Sequence, residues 1–175
     1  MDQQQELALV KKAQSGDREA MGMLWDALTP KLFGYLVNVT RDKTLAEDLL
    51  QSTWLKAIEA LPRFQSRGYR ISAWLFAIAR NECRQHWRKA KYETDRPIVE
   101  NDITDDNRNT SDNKILADQL LNKLSEDDRE LLRLRYIADL PLNEVARVLN
   151  INAVAVRVRM HRALARARAA MDNQN

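Results

Sequence analysis

Apolar positions recur along almost the whole chain at spacings of three and four, the period of amphipathic helices. Leu7, Val10 and Ala13 define a first short helix that stops at Ser15-Gly16. Asp17 is placed to cap the next helix, along which Ala20, Met21, Leu24, Trp25 and Leu28 share one face. Pro30 lacks a backbone N–H and is expected to bend or restart that helix, with Leu32, Phe33, Leu36 and Val37 carrying the face on to about Thr40. Residues 44–61 predict a longer helix, with Ala46, Leu49, Leu50, Thr53, Trp54, Ala57, Ile58 and Leu61 inward and Pro62 ending it. Its opposite side carries Asp48, Gln51, Ser52, Leu55 and Glu59, with Glu47 at the edge. A leucine framed by acids and an amide suits a partner helix, although single exposed leucines are also ordinary surface.

Residues 63–72 read as a loop rich in arginine and aromatic residues, and residues 71–92 as one helix that changes character along its length. The start, from Ser72 to Ile78, is apolar. The end is basic, with Arg80, Arg84, Trp87 and Lys91 stacked at spacings of four, three and four, and Arg88 one turn beyond Arg84. Cations neutralise phosphates, and Trp87, Tyr69 or Phe64 offer rings on which unpaired bases stack. A basic helix with Trp87 in the core would give the same pattern.

From residue 93 the period is lost in a run of Asp, Asn and Thr, which predicts an acidic, flexible linker over 93–111. Ser111 or Asp112 then caps a helix aligning Leu116, Leu120 and Leu124. Ser125 opens another that reaches about Ile137, with Leu131, Leu134 or the stem of Arg135, and Tyr136 inward. Beyond Pro141 come two short helices about a tight turn, Leu149-Asn150-Ile151-Asn152. Asn150 occupies the place that calls for left-handed backbone, and Asn152 the N-cap of the second helix. In that helix Val156, Met160, Ala163 and Ala167 form the buried stripe, while Arg157, Arg159, Arg162, Arg166 and Arg168 fall mostly off it. A helix-turn-helix that turns arginines outward is suited to the major groove of DNA. A solvated basic helix is the plainer alternative.

Composition narrows the picture. With four Gly, four Pro and 6% aromatic residues in 175, strand and hairpin signals are scarce, so the expected class is all-α. The expected organisation is a helical domain over 1–92, the linker 93–111, and a second helical domain over 112–175 that contains the helix-turn-helix. Net charge is +3 but segregated: −2 over residues 1–62, +7 over 63–91, −6 over 92–140 and +4 over 141–175. Two basic blocks across an acidic spacer predict two contact points on one polyanion. Cys83 is the lone cysteine, which precludes an internal disulfide and fits a reducing compartment, and His86 and His161 lie on separate helices. No metal site, cofactor, catalytic group, secretion signal or membrane span is expected, and the expected compartment is the cytoplasm.

Three segments in order carry a resemblance to a known family: Leu45 to Gln51, Ser72 to Asn81, and the run from Glu144-Val145-Ala146 through Arg159 to Arg162-Ala163. Over about residues 17–91 and 112–170 the chain resembles the bacterial RNA polymerase sigma factors of the sigma-70 family, extracytoplasmic-function (group IV) type. That resemblance implies a transcription initiation factor that binds core polymerase, recognises −10 and −35 promoter elements and promotes strand opening. Glu47, Asp48, Gln51 and Leu55 would dock on the clamp helices of the β′ subunit, with β a further contact. Phe64, Arg67, Tyr69, Arg70, Arg80, Asn81, Arg84, Trp87, Arg88 and Lys89 would handle the −10 element and its melted non-template strand. Asn152, Ala155, Arg157, Val158, Arg159, Arg162 and Arg166 would read −35 duplex. An anti-sigma factor is the further partner implied. Asn150 departs from the family's usual turn glycine, Ala155 from its usual Thr or Ser, and Val154 and Val158 make the reading helix unusually apolar. The competing readings are a helix-turn-helix regulator that binds duplex DNA without polymerase, and a helical adaptor that binds only protein.

Overall fold

The computed structural model describes residues 3–66, 68–93 and 124–172, and every regular element among them is helical. The helices are α1 (Gln3–Gln14), α2 (Arg18–Thr40), α3 (Lys43–Ala60), α4 (Ile71–Glu93), α5 (Glu126–Leu132), α6 (Leu142–Val148) and α7 (Ala153–Asp172). Arg67, the linker beyond Glu93 and the helix expected to lead into Leu124 lie outside the described residues.

Capping chemistry sets most helix starts. The Ala20 N–H donates to Asp17 at 3.0 Å, Leu45 N–H to Asp42 at 3.1 Å, Asp128 N–H to Ser125 at 3.3 Å and Ala155 N–H to Asn152 at 2.6 Å. Helix α4 borrows its cap from another element. Glu6 of α1 is buried and accepts from the Ser72 backbone N–H at 2.8 Å, satisfying an otherwise orphaned donor. Gln14 donates to the Leu61 and Phe64 carbonyls at 2.9 and 2.8 Å, which pins the chain after α3.

Pro30 does not divide α2, which runs unbroken from Arg18 to Thr40. A proline inside a helix costs about 3 kcal/mol. Leu24 and Leu28 before it and Leu32, Tyr35 and Leu36 after it are all buried on one stripe, and their burial together exceeds that cost. These residues pack against Ala46, Leu49, Trp54 and Ala57 of α3 and Leu75, Phe76 and Ala79 of α4. Tyr35 and Phe76 meet edge to face at 5.4 Å. The second half of the chain gathers Leu131, Leu134, Val145, Val148, Val156, Met160 and Ala163, and its core is continuous with the first.

Four residues of the expected apolar faces are exposed: Ile58 at 48%, Trp25 and Leu7 at 38% and Tyr136 at 61%. Ile58 lies about 100° beyond Ala57, past the edge of the buried stripe of α3. Trp25 lies flat against Trp54, with centroids 4.7 Å apart. Tyr136 belongs to a π turn, Arg133–Ile137, in which Leu134 points inward and Tyr136 out.

Candidate nucleic-acid and partner interface

Glu47, Asp48, Gln51 and Leu55 are all exposed on one side of α3, with Glu47 4.0 Å from Lys43. Leu55 is 61% exposed, and Ile58, three residues on, adds a second apolar side chain to the same strip. Sequence periodicity missed Ile58 because it adjoins the buried stripe.

The basic end of α4 projects from the body. Asn81, Arg84, Trp87, Arg88 and Lys89 are exposed, so Trp87 stands outside the core. Among the described residues, the others expected to meet the −10 element have contacts within the chain. Phe64 is half-buried at the edge of the core, its ring 4.8 Å from that of Trp74. The Arg147 guanidinium lies 3.6 Å above the Tyr69 ring, a cation–π contact from the second half of the chain. Arg70 has its guanidinium 3.9 Å from Glu6, and its backbone N–H donates to Glu144. Arg80 lies 3.4 Å from Glu130 and is mostly covered.

The helix-turn-helix forms as expected. Asn150 is left-handed at φ 55°, and the Ile151 N–H donates to the Ala146 carbonyl at 2.8 Å, closing the turn between α6 and α7. Arg157, Val158, Arg159 and Arg162 are exposed along α7, and Val154 joins them at 68% exposure. Ala155 is half-buried, the Asn152 side chain is occupied as a cap, and Arg166 is paired with the buried Asp128.

The two halves meet along a polar seam centred on Glu130. The Tyr35 hydroxyl donates to Glu130 at 2.7 Å, and Arg133, itself buried, donates to Asn38 at 2.8 Å and to Glu126 at 2.5 Å. Burial raises the carboxyl of Glu130 above its usual value, opposed by the Tyr35 hydroxyl, Arg133 and Arg80. Burial and then the Glu130 charge push the Tyr35 phenol well up. The Cys83 thiol beside them is pushed up to about 12, again mainly by burial. Lys31 reaches Asp139 at 2.8 Å on the exposed rim. Between α4 and α6 a cleft of about 290 Å³ remains, lined by Tyr69, Trp74 and Ala77 on one side and Arg147, Val148 and Asn150 on the other. Among the described residues no group of His, Cys, Asp and Glu is arranged to hold a metal ion, and no helix is long and apolar enough to cross a membrane.

Sigma-70 region 2 matches residues 24–92, and Sigma-70 region 4 matches residues 114–166. The ECF RNA polymerase sigma factor ShbA of Streptomyces griseus is 33% identical over 177 residues, covering 93% of each chain. BldN of Streptomyces coelicolor, also an ECF RNA polymerase sigma factor, is 29% identical over 166 residues, spanning 90% of this chain but 62% of its own length. The sigma factor RpoE of Bartonella quintana, solved in complex with the anti-sigma factor NepR, superposes with a TM-score of 0.71 at 26% identity, over 87% of this chain and 96% of that one. The chain belongs to the ECF sigma factors of the sigma-70 family.

Proposed function

We propose that this protein is a promoter-specificity subunit with no chemistry of its own, acting in the cytoplasm on core RNA polymerase. The observation that carries the reading is the succession, along one helical chain, of three exposed surfaces of different character. The acidic and apolar strip of α3, Glu47, Asp48, Gln51 and Leu55 extended by Ile58, docks on the β′ clamp helices, with β as a further contact. The outer end of α4, through Asn81, Arg84, Trp87, Arg88 and Lys89, meets the −10 element, cations on phosphate and the indole against an unstacked base. Tyr69, Arg70 and Arg80 join it, with Arg67 in the same loop, once their contacts within the chain are released. Helix α7 enters the major groove at −35, Arg157, Arg159 and Arg162 facing phosphate and guanine and Val154 and Val158 facing thymine methyl groups.

An anti-sigma factor is the partner expected to mask these surfaces, as NepR accompanies RpoE in its solved complex. The direct test is run-off transcription from a promoter library with purified core polymerase, with and without the chain. Defined start sites that depend on its addition are expected; their absence would return the chain to an ordinary duplex-DNA regulator.

A further inference from the structure

The basic face of α4 lies in a block, residues 63–91, of net charge +7, yet its inner part is closed by the chain itself. Arg80 faces Glu130, a carboxylate that occupies the guanidinium as a phosphate oxygen would. Tyr69, whose ring would stack on a base, has one ring face taken by Arg147 while 37% of the residue stays exposed. Helix α6 packs on α4 beside these pairs. Around them further bonds cross the seam: Tyr35 to Glu130, Arg133 to Asn38 and Lys31 to Asp139. A guanidinium held by Glu130 and the ring face under Arg147 are occupied, so a strand that takes both has to displace the C-terminal half. Because both halves belong to one chain, the displacing ligand competes with an intramolecular partner at an effective concentration of about millimolar.

We propose that this chain is self-closing: its C-terminal half sits on the strand-reading face of α4, with Glu130 as the latch, and Arg80 and Tyr69 reach DNA only after the halves part. The occlusion rests on the proposed −10 role of α4; the closure does not.

Small-angle scattering of the purified full chain tests the closure, and anisotropy of a fluorescein-labelled, mixed-sequence 20-nucleotide single strand at low salt tests the occlusion. Wild type is expected to scatter as one compact particle and to bind the strand weakly. Glu130→Lys, which sets a cation against Arg80 and Arg133, is expected to enlarge the radius of gyration and to tighten strand binding at least fivefold. Asp127→Lys makes the same charge change on an exposed residue of α5 and is expected to leave the scattering as in wild type and to raise affinity by less than twofold. Lys31→Glu opposes Asp139 at the rim without touching the core, so it reports even if Glu130→Lys loses helicity by circular dichroism. It should loosen the particle, and Asp139→Lys in the same chain should restore it. An extended wild-type profile, or no expansion in Glu130→Lys and Lys31→Glu, would overturn the closure. Expansion without any gain in strand affinity would instead overturn the −10 role of α4, leaving the closure in place.

Discussion

At the scale of single residues, the buried ionisable groups separate structure from reactivity. Cys83 is walled in beside Glu130 and Tyr35, and its thiol is raised from 9.0 to about 12. A thiolate is the reactive form, so the native protein should not consume Ellman's reagent at pH 8, whereas the chain in 6 M guanidinium should release one equivalent. The same displacement fixes a pH dependence. The folded form favours the neutral thiol, so the contribution is whole below pH 9 and is lost as pH climbs from there toward 12. Urea midpoints measured at pH 8, 9 and 10 should fall over the last interval, and Cys83→Ser should flatten that fall. Of such residues the sequence tells little. Glu6 and Glu130 look like surface acids in any helical register, because what buries them is a contact with residues 66 and 95 positions away. Cys83, by contrast, is buried by local register, since it lies on the side of α4 that also buries Phe76 and Ala79.

At the scale of elements, legibility follows the range of the deciding interaction. The caps at Asp17, Ser125 and Asn152 and the left-handed Asn150 are dictated within four residues and can be read directly. Pro30 misleads because its local cost is overridden by packing on both sides. Ile58 misleads because a stripe edge is set by how wide a face the neighbours cover, which here is narrower than the apolar run. Its exposure enlarges the docking strip and makes a prediction. Surface changes away from special features usually move stability by about 0.5 kcal/mol or less, so Ile58→Glu should keep the fold. If Leu55 and Ile58 are the anchors, either glutamate should weaken binding to core polymerase by about 2 kcal/mol, roughly thirtyfold. Surface plasmon resonance against immobilised core measures this, and undiminished affinity for both variants would remove the strip from the interface.

At the scale of the whole molecule, the all-helical class and both surfaces of opposite charge were open to inspection in the sequence, while the seam that joins the halves was not. Charge blocks forecast two independent basic units; of the acids that bring them together, Glu130 sits outside any motif, and Glu144 is legible only as part of the helix-turn-helix segment. Arg133 shows why this matters for stability. It is 4% exposed, donates to Asn38 across the seam and to Glu126 within its own half, and lies 4.0 Å from Glu130. Removing one partner of a buried charge pair costs about 3–5 kcal/mol, since the other charge is left buried without compensation. Arg133→Ala should therefore lower the melting temperature by about 6–20 °C for a chain of this size. Glu130→Gln in the same chain removes the charge so stranded and should recover part of the loss. A double-mutant cycle by calorimetry separates the two readings: additive effects would mean that Arg133 only fills space, whereas a coupling of about 1 kcal/mol or more would identify the pair as the electrostatic centre of the seam.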